Sequence, residues 1–225
     1  MKKVVLLSGG LDSTTCLAMA LKDTEPSEVL AVNMYYGQKH EKEMLSARKI
    51  AAFYGVELME LDLSMIFSKS DCSLLKSSNN AIPEGDYASQ QKNSPGKPVS
   101  TYVPFRNGLM LSAAASIAVS IGANEVWYGA HADDAAGNAY PDCSVHFTEC
   151  IKSAILEGTD YQVEVKAPLI TLNKANIVAI GLSLNAPYHL TWSCYEGKDK
   201  PCGKCGTCID RARAFKINGV ADPAL

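Results

Sequence analysis

The chain opens with an apolar run that breaks into a glycine turn and then into a helical pattern. Residues 4–7 are apolar, and Ser-Gly-Gly-Leu-Asp-Ser follows directly at residues 8–13. Glycines let the backbone approach a ligand closely, and the unpaired N–H groups of a first helical turn favour an anion. The sequence therefore predicts a strand, a phosphate-binding loop and a helix in succession. An ordinary strand-turn-helix, in which Ser8 or Asp12 serves only as a helix cap, is the alternative.

The loop is of an unusual phosphate-binding type. It lacks the Gly-Lys-Ser/Thr ending of the Walker loop and the Gly-x-Gly-x-x-Gly of dinucleotide folds. Ser-Gly-Gly-Leu-Asp-Ser resembles the signature of the PP-loop ATP pyrophosphatases, whose fold is adenine nucleotide alpha hydrolase-like. This resemblance implies that the loop binds the pyrophosphate end of ATP and that a substrate attacks the alpha phosphorus. The candidate ATP-binding residues are Ser8, Gly9, Gly10, Leu11, Asp12, Ser13, Thr14, Thr15, Cys16, Leu17 and Ala18, of which Asp12 and Ser13 are also candidate catalytic residues.

The composition of the chain indicates which kind of binding partner to expect. The chain has 225 residues, of which 47% are hydrophobic, and this is enough for one sizeable core, or for one core with a small appendage. A net charge of −3 argues against a general nucleic-acid or membrane-surface binder, so small molecules are the expected partners. No apolar run is long enough for a signal peptide or a spanning helix, and we expect a cytoplasmic protein.

Short apolar segments alternate with helical patterns along most of the chain. This alternation predicts an α/β fold with a Rossmann-like parallel sheet flanked by helices. We predict a PP-loop domain at 1–190 with a zinc-binding segment at 191–225 packed on it. The polar stretch 68–100 is interpreted as a long loop or lid, or as a tolerated surface insertion. The predicted strands are 3–7, 28–34, 57–61 and 125–129, and the predicted helices are 12–22, 41–54, 107–121, 145–156, 174–184 and 209–217.

Four of the eight cysteines crowd into the end of the chain. Cys194, Cys202, Cys205 and Cys208 have the spacing C-x7-C-x2-C-x2-C, which suits a closed tetrahedral zinc shell with no open position for catalysis. We therefore predict a structural zinc site, with a redox cluster or reactive thiols as alternatives. The other cysteines are predicted to be small buried hydrophobic residues; they are Cys16, Cys72, Cys143 and Cys150.

Several further segments carry distinctive motifs. They are Tyr-Gly-Gln-Lys-His at 36–40, Tyr-Val-Pro-Phe-Arg-Asn at 102–107, Gly-Ala-His-Ala-Asp-Asp at 129–134, Tyr-Pro-Asp-Cys at 140–143, and Ser-Cys-Tyr at 193–195 with the cysteines that follow. Together they resemble one family within the PP-loop group, the 7-cyano-7-deazaguanine synthases of queuosine biosynthesis. The match spans nearly the whole chain, and Lys39, where the family often has Arg, is a minor departure.

The resemblance implies a ligase that forms carbon–nitrogen bonds. Such an enzyme converts 7-carboxy-7-deazaguanine and ammonia to the nitrile 7-cyano-7-deazaguanine (preQ0) through an acyl adenylate and an amide, and it releases AMP and pyrophosphate. Loss of the amide oxygen calls for a second activation, so we expect two ATP per nitrile. The resemblance also implies magnesium, which neutralises the pyrophosphate, and a homodimer.

Candidate catalytic residues follow from this chemistry. Charge that develops on the phosphates needs fixed donors, which the loop and Arg106 could supply, although Arg106 could instead form a surface salt bridge. His131 is a candidate base for the protons of ammonia, or a structural histidine. Residues 38–41 follow the second predicted strand and therefore lie on the ligand edge of the sheet, or form a solvent-exposed helix start.

The guanine-like substrate presents N–H donors and an aromatic ring. Carboxylates would accept the donors, and aromatic side chains would form the walls. Asp133 and Asp134 could equally hold magnesium or cap a loop. The candidates are Asp133, Asp134 and Asp142 for the donors, and Tyr102, Phe105 and Trp192 for the walls.

Two other functions are possible for a PP-loop chain. One is a tRNA-modifying enzyme in which the zinc knuckle and a helix with Arg211, Arg213 and Lys216 bind RNA. The net negative charge of the chain argues against this function, because RNA binding normally requires a basic surface. The other is a glutamine-fed amidotransferase, for which the chain contains no glutaminase domain or Cys-His nucleophile motif.

Overall fold

The computed structural model describes residues 2–93 and 95–224; Met1, Ser94 and Leu225, which fall within the predicted ranges above, lie outside it. No helix in these two ranges combines the length and the apolar character needed to cross a membrane. The strands are β1 (Lys3–Leu6), β2 (Val29–Tyr35), β3 (Glu57–Asp62), β4 (Glu125–Trp127) and β5 (Glu164–Lys166). The α-helices are α1 (Leu11–Ala20), α2 (Lys42–Tyr54), α3 (Tyr87–Asn93), α4 (Arg106–Ile121), α5 (Ala132–Ala135), α6 (Val145–Gly158), α7 (Lys174–Ser183) and α8 (Gly206–Ile217).

The five strands form one parallel sheet in the order β3-β2-β1-β4-β5. Val4 of β1 pairs with Leu30 of β2 on one side and with Val126 of β4 on the other. The strand order reverses between β1 and β4, and open α/β sheets bind ligands in the crevice at such a point. The predicted fold class is confirmed, and the crevice is where the glycine turn lies.

Alternate residues of the strands enter two cores on opposite faces of the sheet. Val4 packs in a cluster with Leu111 of α4, while its neighbour Val5 packs with Ile50 of α2. Successive side chains of a strand point to opposite faces, so strands that are apolar throughout need helices on both sides. The β1 run is buried for this reason, and it holds the glycine turn on a rigid base.

The end of the chain packs on the first helix. Phe215 of α8 and Tyr188 lie in one buried cluster with Leu11 of α1 and Ile177 of α7. Arg211 of α8 is also buried, and its guanidinium is fixed by Asp222. Helix α8 is therefore held against α1 and α7.

The polar segment 68–100 packs against the rest of the described chain at a few buried positions. Ser73 and Leu75 are buried, and Leu75 forms an isolated bridge with Gln38 after β2. A second bridge joins Glu84 to Cys205. The segment thereby connects the carboxyl edge of the sheet with the cysteine cluster.

Candidate active site

A cavity opens at the carboxyl ends of β1, β2 and β4, at the point where the strand order reverses. The glycine turn forms one end of it, and a group of tyrosines forms the other. Between them lie apolar side chains of β1 and β2, such as Leu6 and Met34, and the segment before the cysteine cluster contributes Trp192. A polar end, an apolar middle and an aromatic end suit a nucleotide with a second, planar substrate.

The glycine turn is held in place by its own hydroxyls. Ser8 Oγ lies 2.9 Å from Ser13 Oγ, and Ser13 Oγ donates to the carbonyl oxygen of Gly10 at 3.1 Å. Gly9 has φ +89°, and a Cβ there would collide with the backbone of α2 at Glu43. The turn is therefore fixed before any ligand binds, with the N-terminus of α1 directed at the cavity, as an anion site requires.

A charged network lies beneath the turn. Lys174 Nζ donates to Asp12 Oδ2 at 2.6 Å and contacts His131 Nε2 at 2.9 Å. Burial would raise the pKa of Asp12, but the Lys174 ammonium and His131 outweigh it and hold that pKa below its ordinary value. Burial would lower the pKa of Lys174, but Asp12 and Asp134 raise it. The Asp12 and Lys174 side chains therefore remain an ion pair at neutral pH.

The end of β4 comes very close to this network. A Cβ on Gly129 would lie 3.1 Å from the carbonyl carbon and oxygen of Asp12. Only a residue without a side chain fits this approach comfortably. Gly129 therefore allows β4 and the first turn of α1 to line the same narrow crevice.

Hydroxyl groups of three tyrosines meet at the aromatic end of the cavity. Tyr195 Oη lies 2.8 Å from Tyr87 Oη and 3.2 Å from Tyr140 Oη, and Thr101 Oγ1 lies 2.6 Å from Tyr140 Oη. Burial raises the pKa of Tyr195, so that its hydroxyl keeps its proton near neutral pH. The three rings provide a polar-tipped aromatic wall.

Two opposite charges face the cavity beside these tyrosines. The Arg106 guanidinium carbon lies 4.9 Å from the centre of the Tyr36 ring, a cation–π arrangement. Burial raises the pKa of the nearby Glu43 to about 7, and the positive charge of Arg106 limits that rise. The Arg106 charge is thus held inside the cavity and not in a surface salt bridge.

The structure brings part of the predicted site to the cavity. The predicted residues that line it are Ser8, Gly10, Leu11, Asp12, Ser13, Gln38, Arg106, Asp134 and Trp192. His131 is buried directly behind the lining, and its Nδ1 has no hydrogen-bond partner among the described residues. The later helical positions turn into the protein interior, where Thr15 hydrogen-bonds Tyr188 at 2.7 Å; these positions are Thr14, Thr15, Cys16, Leu17 and Ala18.

Two predicted carboxylates cap helices and do not line the cavity. Asp133 Oδ2 accepts from the backbone N–H of Lys174 at 2.7 Å, at the start of α7. Asp142 Oδ2 accepts from the backbone N–H of Asn107 at 2.9 Å, at the start of α4. A helix N-terminus has unpaired N–H groups that attract a carboxylate, which accounts for both placements.

The two predicted aromatic walls after Thr101 also lie outside the lining. Phe105 has φ 54°, which directs its ring away from the cavity and across Gly108, edge-on to Phe147 at 6.0 Å. Tyr102 Oη accepts from the backbone N–H of Phe105 at 2.8 Å, so its hydroxyl supports this turn. Their place in the cavity is taken by other tyrosines.

Several lining residues were missed from the sequence. Lys174 opens a helix that was predicted, but its relation to Asp12 depends on β5, which the alternation did not reveal. Glu43 lies in the first turn of the predicted helix after β2, and Tyr195 adjoins a predicted metal ligand. The available signal was position along the chain: Lys174 and Glu43 each come after a strand, and Tyr195 comes directly after the predicted metal ligand Cys194.

The four cysteines of the C-terminal segment come together. Their sulfur atoms all lie within 4.8 Å of one another. Backbone N–H groups of Cys202 and Cys205 donate to the sulfurs of Cys194 and Cys202, at 3.3 and 3.4 Å respectively. Zinc with Zn–S bonds of about 2.3 Å sets its sulfurs roughly 3.8 Å apart, so the cluster fits such an ion with little adjustment. Among the other cysteines, Cys150 is exposed, on the outer side of α6, and its predicted burial is wrong.

Sheet order, glycine turn and cavity together define a PP-loop nucleotide-binding enzyme. Two solved structures are similar to this chain in fold: the U34-tRNA thiolase NcsA from Methanococcus maripaludis, solved with its [4Fe-4S] cluster, and the NMN synthetase from Francisella tularensis. The first is 16% identical with a TM-score of 0.51 and covers 97% of this chain and 65% of that one. The second is 14% identical with a TM-score of 0.53 and covers 98% and 78%. At these identities the likeness concerns the fold alone.

Sequence comparison is more specific. The family model described as "Queuosine biosynthesis protein QueC" matches residues 2–219. A 7-cyano-7-deazaguanine synthase from Archaeoglobus fulgidus is 44% identical over 100% of this chain and 90% of its own length. The one from Caldicellulosiruptor bescii is 40% identical over 99% and 96%. The chain belongs to the QueC family.

Proposed function

We propose that this protein converts 7-carboxy-7-deazaguanine, ammonia and ATP to 7-cyano-7-deazaguanine, with release of AMP and pyrophosphate. The observation that carries the proposal is the cavity, which joins a phosphate-binding turn to a charged aromatic end, in a chain whose relatives at about 40% identity are 7-cyano-7-deazaguanine synthases. The reaction is a ligation that forms a carbon–nitrogen bond.

A carboxylate is a poor electrophile, so its oxygen must first become a leaving group. Attack of that oxygen on the alpha phosphorus of ATP forms an acyl adenylate and expels pyrophosphate. The N–H groups at the start of α1 bind the pyrophosphate as its charge develops, in a turn that the hydroxyls of Ser8 and Ser13 hold in shape. Arg106 and Lys174 supply the fixed positive charges of the cavity.

Ammonia then displaces AMP and forms the amide. The amide oxygen attacks a second ATP in the same way, and loss of AMP with the remaining amide protons gives the nitrile. No change of oxidation state occurs at any step, so no redox cofactor is needed. The same turn and the same cations serve both activations.

His131 acts in this proposal through its neighbours. Its Nε2 contacts Lys174 at 2.9 Å and lies 3.6 Å from Asp12 Oδ2. Because it is buried behind the cavity wall, it positions the ion pair of Lys174 and Asp12 and does not collect protons from ammonia.

Two metals accompany the proposal. The four cysteines would hold zinc, which would stabilise the C-terminal segment. Asp12 Oδ1, which is buried with no partner among the described residues, would hold magnesium, and the ion would supply positive charge to neutralise the pyrophosphate. We propose that the enzyme is cytoplasmic and a homodimer.

An RNA-binding role is less well supported by the same segment. Arg211, one of the cations considered for RNA, is buried and donates to Asp222, Thr191 and Ser193. Its guanidinium is occupied by hydrogen bonds within the protein and cannot contact a phosphate backbone.

The stoichiometry of AMP tests the proposed function. Offered 7-carboxy-7-deazaguanine, ATP and ammonia, the protein should release two AMP per nitrile; offered 7-amido-7-deazaguanine without ammonia, it should release one. The measurement is AMP and preQ0 by chromatography. ADP as the main nucleotide product would contradict adenylation, and a ratio of one from the acid would contradict the second activation.

A further inference from the structure

The proposed substrate must be distinguished from other planar bases. Its guanine-like edge presents two adjacent donors, the ring N1–H and the 2-amino group. A carboxylate can accept both at once, because it has two oxygens and no proton of its own. The cavity should therefore contain a carboxylate that is free to accept them.

Most carboxylates near the cavity are already engaged. Asp12 pairs with Lys174, and Asp134 Oδ2 lies 3.2 Å from His131 Nε2. Asp133 and Asp142 cap helices. Glu43 is different: it lines the cavity, and its side chain makes no hydrogen bond or ion pair with any residue that the structure describes.

The position of Glu43 is fixed by the backbone around it. It lies in the first turn of α2, and its carbonyl oxygen packs against the Cα of Gly9. Its side chain shares the cavity with Tyr36 and Arg106. The carboxylate thus lies between the phosphate turn and the aromatic end, where a planar acceptor of AMP must bind.

Burial at this place has an electrostatic consequence. It raises the pKa of Glu43 to about 7, because the half-buried carboxylate has lost part of its water without gaining a hydrogen-bond donor from the described residues. A ligand that brings two N–H groups supplies the missing donors and favours the ionised form. Arg106 lines the same cavity and neutralises the resulting charge in part.

We propose that Glu43 is the specificity-determining residue that accepts the N1–H and the 2-amino group of the deazaguanine. This role rests on the proposed function, and it deepens it by naming the residue that selects a guanine-like base. It also predicts that ATP, which binds through the turn and the apolar middle of the cavity, does not depend on the Glu43 carboxylate.

Substrate discrimination tests the role. Wild-type protein is assayed for AMP release with 7-carboxy-7-deazaguanine and with the analogue that lacks the 2-amino group. We expect kcat/KM to fall roughly 10- to 100-fold for the analogue, because an acceptor in the site is left unpaired. In Glu43→Ala this ratio should shrink to within about threefold, since neither substrate then has a partner.

Two further variants guard against a general loss of structure. Glu43→Gln keeps the shape of the side chain but presents an amide donor to a donor of the substrate, so KM for the acid should rise roughly 10-fold or more while KM for ATP stays within about threefold. Glu57→Ala removes a carboxylate that is exposed, at the start of β3, and should leave kcat and both KM values unchanged.

These measurements distinguish a failure of the role of Glu43 from a failure of the proposed function. Equal discrimination by wild type and Glu43→Ala would overturn the role of Glu43, as would a KM for ATP that rises together with that for the acid. Wild-type protein that uses both acids equally well would also overturn it. Wild-type protein that converts neither acid would overturn the proposed function, and the role of Glu43 with it.

Discussion

Replacement of Lys174 by Met is expected to slow AMP formation strongly and to destabilise the fold. The ammonium is the donor to Asp12 Oδ2 at 2.6 Å, and the substitution leaves that carboxylate partly buried beside the phosphate turn. Loss of one partner of such a pair costs about 3–5 kcal/mol of the free energy of unfolding. Loss of a fixed charge from the site should lower kcat by about 10²- to 10³-fold. Chemical denaturation and AMP release measure the two effects.

A double variant separates stability from activity. In Asp12→Asn with Lys174→Met no buried charge is left unpaired, so most of the lost stability should return while AMP formation stays at least as slow as in Lys174→Met. Lys22→Met, in the exposed turn that follows α1, is the matched control and should change neither. Wild-type turnover in Lys174→Met would contradict the role of this ion pair.

Replacement of Cys205 by Ser is expected to release the metal and to loosen the C-terminal segment. The sulfur is one of four that lie within 4.8 Å of one another, and metal bound there contributes its binding free energy to folding. We expect the melting temperature to fall by about 10 °C, since each kcal/mol corresponds to roughly 2–4 °C in a chain of this size. Elemental analysis and calorimetry measure both changes.

The control for this experiment is another cysteine of the same chain. Cys150→Ser alters an exposed thiol far from the cluster and should leave metal content and melting temperature unchanged. Metal retained in Cys205→Ser would mean that the cluster does not bind it, and iron in place of zinc would contradict the zinc assignment. Loss of metal with no change in melting temperature would contradict its structural role.

Most of the fold could be predicted because its signals are local. Each long helix carries its own pattern, and the buried strands β1 and β2 are almost continuously apolar, as strands covered on both faces must be. β5 was missed because it is three residues long and has charged residues at both ends. The helix α3 was missed because the polar segment around it shows no periodicity, although Tyr87 of that helix is buried.

The candidate site was predictable only where a single segment forms it. The turn at Ser8 is continuous in sequence, whereas the partnership of Asp12 with Lys174 joins positions that only the sheet order brings together. Residue type alone could not separate Glu43 from Asp142, because the same carboxylate serves as a helix cap in one place and faces the cavity in the other. Which use prevails depends on the donors that the tertiary structure brings within reach.

The position of Tyr195, next to the cysteine ligand Cys194 and inside the cavity, has a thermodynamic consequence. Metal binding at Cys194 helps to order Tyr195. The part of the metal's binding free energy that does so also orders the aromatic wall against which the deazaguanine binds. Linkage is reciprocal, so the base must then hold the metal more tightly by the same factor as the metal tightens the base. Saturating deazaguanine substrate would thus protect the enzyme from loss of its metal to chelators. In a cell short of the metal, the enzyme would lose affinity for the deazaguanine before it unfolded.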